Sequence, residues 1–344
     1  MNLFDNLLAN VPSRFDDKPK RALLEHDRDH DYVLRIDNTT LERQQTCPRS
    51  SQFYCVDRRQ ARASSALSFG GAIHEGLAVL YRDGFGAITP AVDACLKHLQ
   101  LTYAPEADEW RTPQRACETL LDYVQHYQRD DIRPVIYNSA PFVEKAFSLH
   151  VGSINLDKTL PYTYAQLTDS PDTEQMYIQN LHILWSGRLD IAATQGDENV
   201  FVVDHKTSSI GGDQFFADFL LSQQMLGYAW ALRKLMPESN IVGTIVNAIL
   251  QRKPTKTGKA LEFKRQTYFQ SKWMQDEWQA DVIASIEQFV HHLCQGFFPK
   301  YTKWCFGKYG KCPYHEVCTL PPDMREAFLG SSEYVNVTWS PLDK

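Results

Sequence analysis

The stretch Val200-Phe201-Val202-Val203-Asp204-His205-Lys206-Thr207 decides the fold. Its first four residues are an unbroken apolar run, as expected of a central strand covered on both faces. The run then passes straight into charge, and charges at the end of a buried strand need a reason. Asp204 and Lys206 stand two apart, so both side chains leave the same face of the strand. Upstream, Tyr177 to Thr194 is a second apolar-rich run, separated from the first by the turn formers Gln195-Gly196-Asp197-Glu198-Asn199. The pair reads as a β-hairpin. With its turn near Asp197, Asp190 of Gly187-Arg188-Leu189-Asp190 lies across from Asp204 or His205. Two carboxylates and one ammonium then converge. Carboxylates held together repel each other unless a cation sits between them. Oxygen donors of this kind suit Mg²⁺ or Mn²⁺, and a nearby lysine can steady a hydroxide or a phosphoryl oxygen. The plain alternative is a surface hairpin with solvated or paired charges, against which the apolar run argues.

Working outward, Leu67 to Gly84 has helical spacing, with Ile73, Leu77, Leu80 and Tyr81 on one side and His74 near its start. Residues 88–101 and 110–129 read as two more amphipathic helices, the second with Trp110, Leu120, Leu121 and Val124 on its apolar side. Val135 to Val151 contains an extended stretch, Pro141 to Val151, that includes Glu144, and residues 152–176 read as a loop or insertion. A helix from Asp213 to Leu235 places Gln224 and Tyr228 at i, i+4 on one face. Ile241–Gln251 and Leu261–Phe269 form a second hairpin around Pro254-Thr255-Lys256-Thr257-Gly258, followed by a long helix from Lys272 to Cys294. Residues 1–45 read as an irregular lead-in and 321–344 as a polar tail.

Composition bounds the function. The 344 residues are 43% apolar and 23% charged, ordinary for a soluble globular protein. No apolar run reaches bilayer length; the longest, Ile241 to Leu250, contains Asn247. Asp5 precedes any basic residue, unlike a secretory signal, so the expectation is a cytoplasmic protein without a membrane partner. The net charge of −6 excludes a uniformly basic nucleic-acid binder, yet residues 251–311 hold eleven Lys/Arg against five Asp/Glu. Arg252, Lys253, Lys256, Lys259, Lys264 and Arg265 crowd the second hairpin. Lys300, Lys303, Lys308 and Lys311 alternate with Tyr301, Trp304, Phe306 and Tyr309, which could stack on unpaired bases or instead pack around a metal cluster held by the neighbouring cysteines. Of the eight cysteines, Cys95, Cys117 and Cys294 sit on apolar helical stripes as core fillers. Cys305, Cys312 and Cys318 cluster near the C-terminal end, and a reducing compartment disfavours a disulfide framework. There is neither a G-x-S-x-G elbow nor a phosphate-binding G-x-x-x-x-G-K-[ST] loop, so no covalent nucleophile or ATPase is legible.

The ordered motifs GGAIH (Gly70 to His74), VEKAF (from Val143), GRLD (Gly187 to Asp190), VVDHKT (Val202 to Thr207) and QMLGY (Gln224 to Tyr228) resemble the PD-(D/E)XK nuclease superfamily. More narrowly they resemble its RecB-type branch, which includes CRISPR-associated and AddB-type nucleases, phage-encoded forms among them, with a cysteine-bound iron–sulfur cluster. The resemblance covers residues 45–320 and implies an α/β fold, a restriction-endonuclease-like mixed sheet flanked by helices. The core would span 135–270, preceded by a helical region at 46–134 and followed by a cluster-bearing region at 271–320. It also implies that His74, Asp190, Asp204 and the His205 carbonyl hold the dication and that Lys206 positions the attacking water. Gln224 and Tyr228 would contact substrate or steady the site, with Glu144 at an early acidic position. Cys47, Cys305, Cys312 and Cys318 would bind a [4Fe–4S] cluster; structural Zn²⁺ and free thiols are the alternatives, and Cys55 is a substitute or a bystander. The implied activity is a Mg²⁺- or Mn²⁺-dependent deoxyribonuclease, an exonuclease on single strands or DNA ends. It would serve recombination, repair or phage DNA processing, with any helicase supplied by a partner. The alternative is a catalytically silent DNA-binding or assembly subunit that keeps the fold as scaffold.

Overall fold

The computed structural model describes residues 22–62, 64–103, 110–196, 198–254, 260–307 and 310–338. Its principal elements, in chain order, begin with β1 (Leu24–Arg28), β2 (Asp31–Ile36), α1 (Asn38–Thr46) and β3 (Arg59–Ala61). Next come α2 (Ser65–Asp83), α3 (Ile88–Thr102), α4 (Pro113–His126), β4 (Ile132–Pro134), β5 (Val143–Thr163) and β6 (Gln175–Gln195). Then follow β7 (Val200–Ser208), α5 (Asp213–Ala217), α6 (Gln223–Leu235), β8 (Ile241–Gln251) and β9 (Leu261–Phe269). The last are α7 (Lys272–Gln295), α8 (His315–Thr319), α9 (Pro322–Leu329) and β10 (Tyr334–Asn336). Contacts divide the chain into two compact units, one drawn from 63–145 and 188–275, the other from 14–62, 146–187 and 276–344.

In the first unit the strands are ordered β4-β6-β7-β8-β9. β7 is antiparallel to the end of β6, with Ile191 opposite Val203, and parallel to β8. β9 returns antiparallel to β8. The fold is therefore a mixed α/β arrangement. Period-two alternation assigns the faces. Phe201, Val203, Ile245 and Ile249 pack with Phe69, Ile73, Leu77, Leu99 and Leu120 from α2, α3 and α4. Val246, Ala248 and Leu250 point the other way, to Phe215, Phe216 and Met225 from α5 and α6. Both faces of the centre are thus covered by helices, which is why Val200–Val203 carries no polar residue.

A kink near the start of β8 sets the register. The ladder to β7 shifts between Ile241 and Gly243, and Gly243 has φ +156°. A Cβ built there would lie 1.9 Å from the Tyr268 carbonyl oxygen. Gly243→Ala must open the β8–β9 ladder to fit. The expected cost is about 1–3 kcal/mol, readable as a lowered midpoint in thermal or urea unfolding.

In the second unit β2 runs parallel to Asn180–Trp185 of β6 and antiparallel to β1. Trp185 packs edge-on against Trp278 of α7, with ring centroids 5.2 Å apart. β10 pairs with β3, and the Tyr314 hydroxyl donates to the Arg59 carbonyl at 2.6 Å.

Several expectations are corrected here. Residues 24–46 are two strands and a helix rather than an irregular lead-in. Only Tyr32, Leu34 and Ile36 alternate inward there, a signal too short to stand out among the charges around them. The expected loop at 152–176 is largely strand: β5 continues to Thr163 and β6 begins at Gln175. Most of β5 faces outward and Asp157 takes a left-handed φ of 46°, so its alternation is broken. The single helix expected at Asp213–Leu235 is two, α5 and α6. Residues 322–336 of the expected polar tail fold as α9 and β10. Trp110 precedes α4 rather than lying on it, and Leu121 is 52% exposed, so Leu120 and Tyr123 carry the apolar side. Cys95 is fully buried, whereas Cys117 and Cys294 are only partly so. Asp197, residues 255–259 with Lys256 and Lys259 of the basic hairpin, Lys308 and Tyr309 lie outside the described residues.

Candidate active site

The antiparallel register of β6 on β7 continues Ile191–Val203 to bring Asp190 to the same edge as Asp204. The His205 amide donates to Asp190 Oδ2 at 2.8 Å, fixing the carboxylate against β7. His74 Nδ1 lies 3.5 Å from the same Oδ2. It comes from the third turn of α2, because the helix begins at Ser65 rather than at Gly70. Gly71 explains the glycine-rich start of that motif: a Cβ there would meet His98 Nε2 of α3 at 2.7 Å. The small residue lets α3 close on α2 beside His74.

On the α6 side of the sheet, Lys206 Nζ lies 2.7 Å from Asp204 Oδ2 and donates to Gln224 Oε1 at 2.7 Å. Gln224 Nε2 donates to the Tyr228 hydroxyl at 3.1 Å. The i, i+4 face read from the sequence is therefore aimed at Lys206. Burial, and next the Asp190 charge, push the Asp204 carboxyl above the usual carboxylate range, with Lys206 pulling the other way. The structure thus brings together Asp190, Asp204, Lys206, Gln224, Tyr228 and His74. Glu144 stands slightly apart, 3.9 Å from Arg188 on β6, and takes a left-handed φ of 53°.

The donor set is chemically suited to a hard dication: two carboxylates, an imidazole and a backbone carbonyl at His205. Asp204 Oδ2 is buried, and the Lys206 ammonium is the cation that meets it. Lys206 pairs directly with Asp204 and His74 with Asp190, and the described residues contain no group of three or more His, Cys, Asp or Glu placed to hold a metal ion as they stand.

The opposite face of β7 holds residues that sequence reasoning missed. Asn247 of β8 donates from Nδ2 to His205 Nδ1 at 2.7 Å and to the Tyr123 hydroxyl at 2.8 Å. Its Oδ1 accepts from Arg265 Nε at 3.0 Å, which fixes the amide orientation. His205 Nδ1 must then accept, so the ring is neutral with its proton on Nε2. Burial agrees, pushing this imidazole down to about 3. Arg265 also binds Asp130 with both terminal nitrogens, at 2.6 and 2.8 Å, and donates to Tyr81 and Tyr123 at 2.7 and 3.0 Å. Arg265 is therefore an internal brace and not part of a basic surface. Lys264 and Arg252 each pair with Glu262. The one available signal was Asn247, a lone amide inside an apolar strand.

In the second unit, the cysteines near the C-terminal end lie beside Cys47. Burial pushes the Cys312 thiol up, and the neighbouring Cys47 and Cys305 sulfurs add to it. Cys318 is raised likewise by burial, Cys312 and Cys47. The Tyr301 amide donates to Cys47 Sγ at 3.4 Å. Cys55 is fully buried and pushed up to about 12, which suits a packed thiol rather than a ligand. Tyr301, Trp304 and Phe306 are exposed at 43%, 50% and 69%, and the Phe306 ring lies 5.2 Å from that of His315. No helix among the described residues is long and apolar enough to cross a membrane.

Comparison with known proteins gives little by overall sequence: no curated protein matches the chain. A solved structure, that of a "Putative exonuclease" from Eubacterium rectale, is similar at 8% identity and TM-score 0.43, covering 83% of this chain and 86% of that one. The sequence profile of the PD-(D/E)XK nuclease superfamily matches residues 38–319. That span takes in His74, Asp190, Asp204, Lys206 and Tyr228 alike, and the chain belongs to the PD-(D/E)XK nuclease superfamily.

Proposed function

We propose that the protein is a Mg²⁺- or Mn²⁺-dependent deoxyribonuclease that hydrolyses phosphodiesters in single strands or at DNA ends. The observation that carries this is the meeting of Asp190, Asp204 and Lys206 at one strand edge, with His74 and Gln224 beside them. His74, Asp190, Asp204 and the His205 carbonyl would hold the dication. When bound, it would acidify water and offset charge on the phosphate. The protein's own part is positional. Gln224, backed by Tyr228, holds the Lys206 ammonium by its amide oxygen, leaving a donor to face the scissile phosphate. His205 N–H keeps Asp190 turned toward the same edge. The exposed Tyr301, Trp304 and Phe306, with Lys300 and Lys303 among them, favour a single-stranded substrate, because bases can stack only when unpaired.

The test is a cleavage assay on end-labelled single- and double-stranded DNA with Mg²⁺, Mn²⁺ or EDTA. Metal-dependent shortening from an end is expected, and inertness of freshly purified, folded protein toward every DNA form would refute the reading.

Cys47, Cys305, Cys312 and Cys318 are proposed as the ligands of a [4Fe–4S] cluster. Support comes from the placement of the cysteines: Cys47 lies near Cys312 and Cys318, and the Cys312 amide donates to the Cys305 carbonyl at 2.9 Å. Such a centre would tie residue 47 to the 305–318 segment and remove much unfolded-state entropy. Cys318→Ser is expected to lose brown colour, iron and acid-labile sulfide, and with them thermal stability. Zinc in place of iron, by metal analysis of anaerobically purified protein, would overturn the cluster assignment.

A further inference from the structure

The second unit contains a cavity of about 700 Å³ whose lining includes Arg49, Arg58, Arg59 and Arg325. Three of these guanidiniums are held in place by backbone carbonyls. Arg49 Nε donates to Phe298 at 2.7 Å, Arg58 to Gln166 at 2.9 Å and Arg325 Nε to Leu320 at 3.1 Å. A carbonyl orients a guanidinium without neutralising it. Arg49 and Arg325, contributed by distant parts of the chain, both line the recess. Arg58 is only 6% exposed and takes a left-handed φ of 55°. Cations gathered in a recess repel one another unless an anion lies among them.

The anion's class follows from the rest of the lining. Asp57, Asp169 and Glu326 also line the cavity and offset much of the charge of the four arginines, leaving an excess of one cation. The cavity therefore suits one localised anionic group better than a long polyanion. Planar guanidinium forks match phosphate oxygens in pairs. A bare phosphate would leave most of the volume empty, since sites of 300–1,000 Å³ hold whole small molecules. Phe53, Val56 and Leu329 supply an apolar wall for the remainder. We propose that this cavity binds a terminal phosphate carried on a nucleoside: the 5′ end of a DNA strand or a free nucleotide. The phosphate and its nucleoside-sized body are argued from the cavity alone; the strand end as a source rests on the nuclease reading.

The experiment is binding by the full chain in EDTA, where cleavage is off. Fluorescence anisotropy compares a 3′-labelled single strand bearing a 5′-phosphate with the same strand bearing a 5′-hydroxyl. Calorimetry compares deoxyadenosine monophosphate with deoxyadenosine. The phosphorylated member should bind about tenfold tighter or better. Preference in the strands alone assigns the site to strand ends, preference in the nucleosides alone to free nucleotides, and preference in both to the phosphate whatever carries it. No preference in either pair overturns the proposal, and this comparison needs no variant. Arg325→Gln should abolish the preference and Arg325→Lys keep part of it; an Arg325→Gln protein with wild-type circular dichroism and undiminished preference also overturns it. A chain that discriminates phosphate from hydroxyl yet never cuts DNA would keep this site and discard the nuclease reading. A chain that cuts without discriminating would do the reverse.

Discussion

Lys206→Ala is expected to lower the rate of DNA cleavage about 10²–10³-fold, and Asp204→Asn and Asp190→Asn to bring it to the level of the blank. The reasoning rests on what each group touches. Lys206 Nζ stands 2.7 Å from Asp204 Oδ2 and 2.7 Å from Gln224 Oε1, so its position is set from two elements at once. A donor fixed in this way offers its hydrogen bond to developing charge without reorganising, which is where such groups act most strongly. Asp204 and Asp190 differ from it in kind, because losing either removes a charge that would hold the dication. The two classes separate by metal titration. Raising Mn²⁺ should recover part of the activity of an Asp190→Asn protein and none of that of Lys206→Ala. Circular dichroism and DNA binding in EDTA should match wild type in the Asp variants. Wild-type cleavage rates in Asp204→Asn and Lys206→Ala would dismiss the proposed site.

This constellation was legible because it is local. Asp190 and Asp204 are joined by one short turn, and the alternation of an apolar run fixes which face each side chain takes. Gln224 and Tyr228 needed only helical spacing. The brace behind the site was not legible, because it is assembled from distant parts of the chain. Asp130 meets Arg265 across 135 residues, and Tyr81 meets it across 184. Sequence alternation states that residues of β9 take opposite faces, but not which face α4 will cover. Arg265 therefore read as one more cation in a basic hairpin. The strands of the second unit were missed for a related reason: β5 and β1 have outward faces so polar that too few apolar positions remain to show a period. Glycine positions such as Gly71 and Gly243 carry their meaning only once the neighbouring His98 ring and Tyr268 carbonyl are in place.

That brace gives the largest expected effect on stability. Burial alone would raise the Asp130 carboxyl, yet the hydrogen bonds and charge of Arg265, with the Ile132 amide and the Tyr81 hydroxyl, hold it below the usual range. A carboxylate depressed in the folded state contributes stability that is complete above its unfolded pKa of about 3.9 and is lost as pH falls through the folded value. Arg265→Met reverses the sign. Asp130 then remains buried without its cation, its folded pKa rises, and the cost of keeping it ionised is paid across the neutral range. The expected loss at pH 7 is about 3–5 kcal/mol. It should shrink as the pH is lowered toward 4, because protonated Asp130 is cheap to bury. Asp130→Asn/Arg265→Met should recover a large part of the loss, since no charge is left stranded. Urea unfolding of the variants at pH 7 and pH 5 reads all of this. A single-variant deficit that is the same at both pH values would mean that lost packing, not a stranded carboxylate, sets the cost. The brace also reaches β7, for Arg265 Nε fixes Asn247 and Asn247 fixes the ring of His205, whose backbone amide holds Asp190. Arg265→Met protein that remains folded at low temperature should therefore need more Mn²⁺ for half-maximal cleavage, while Gly243→Ala, which loosens β8 at its other end, should not.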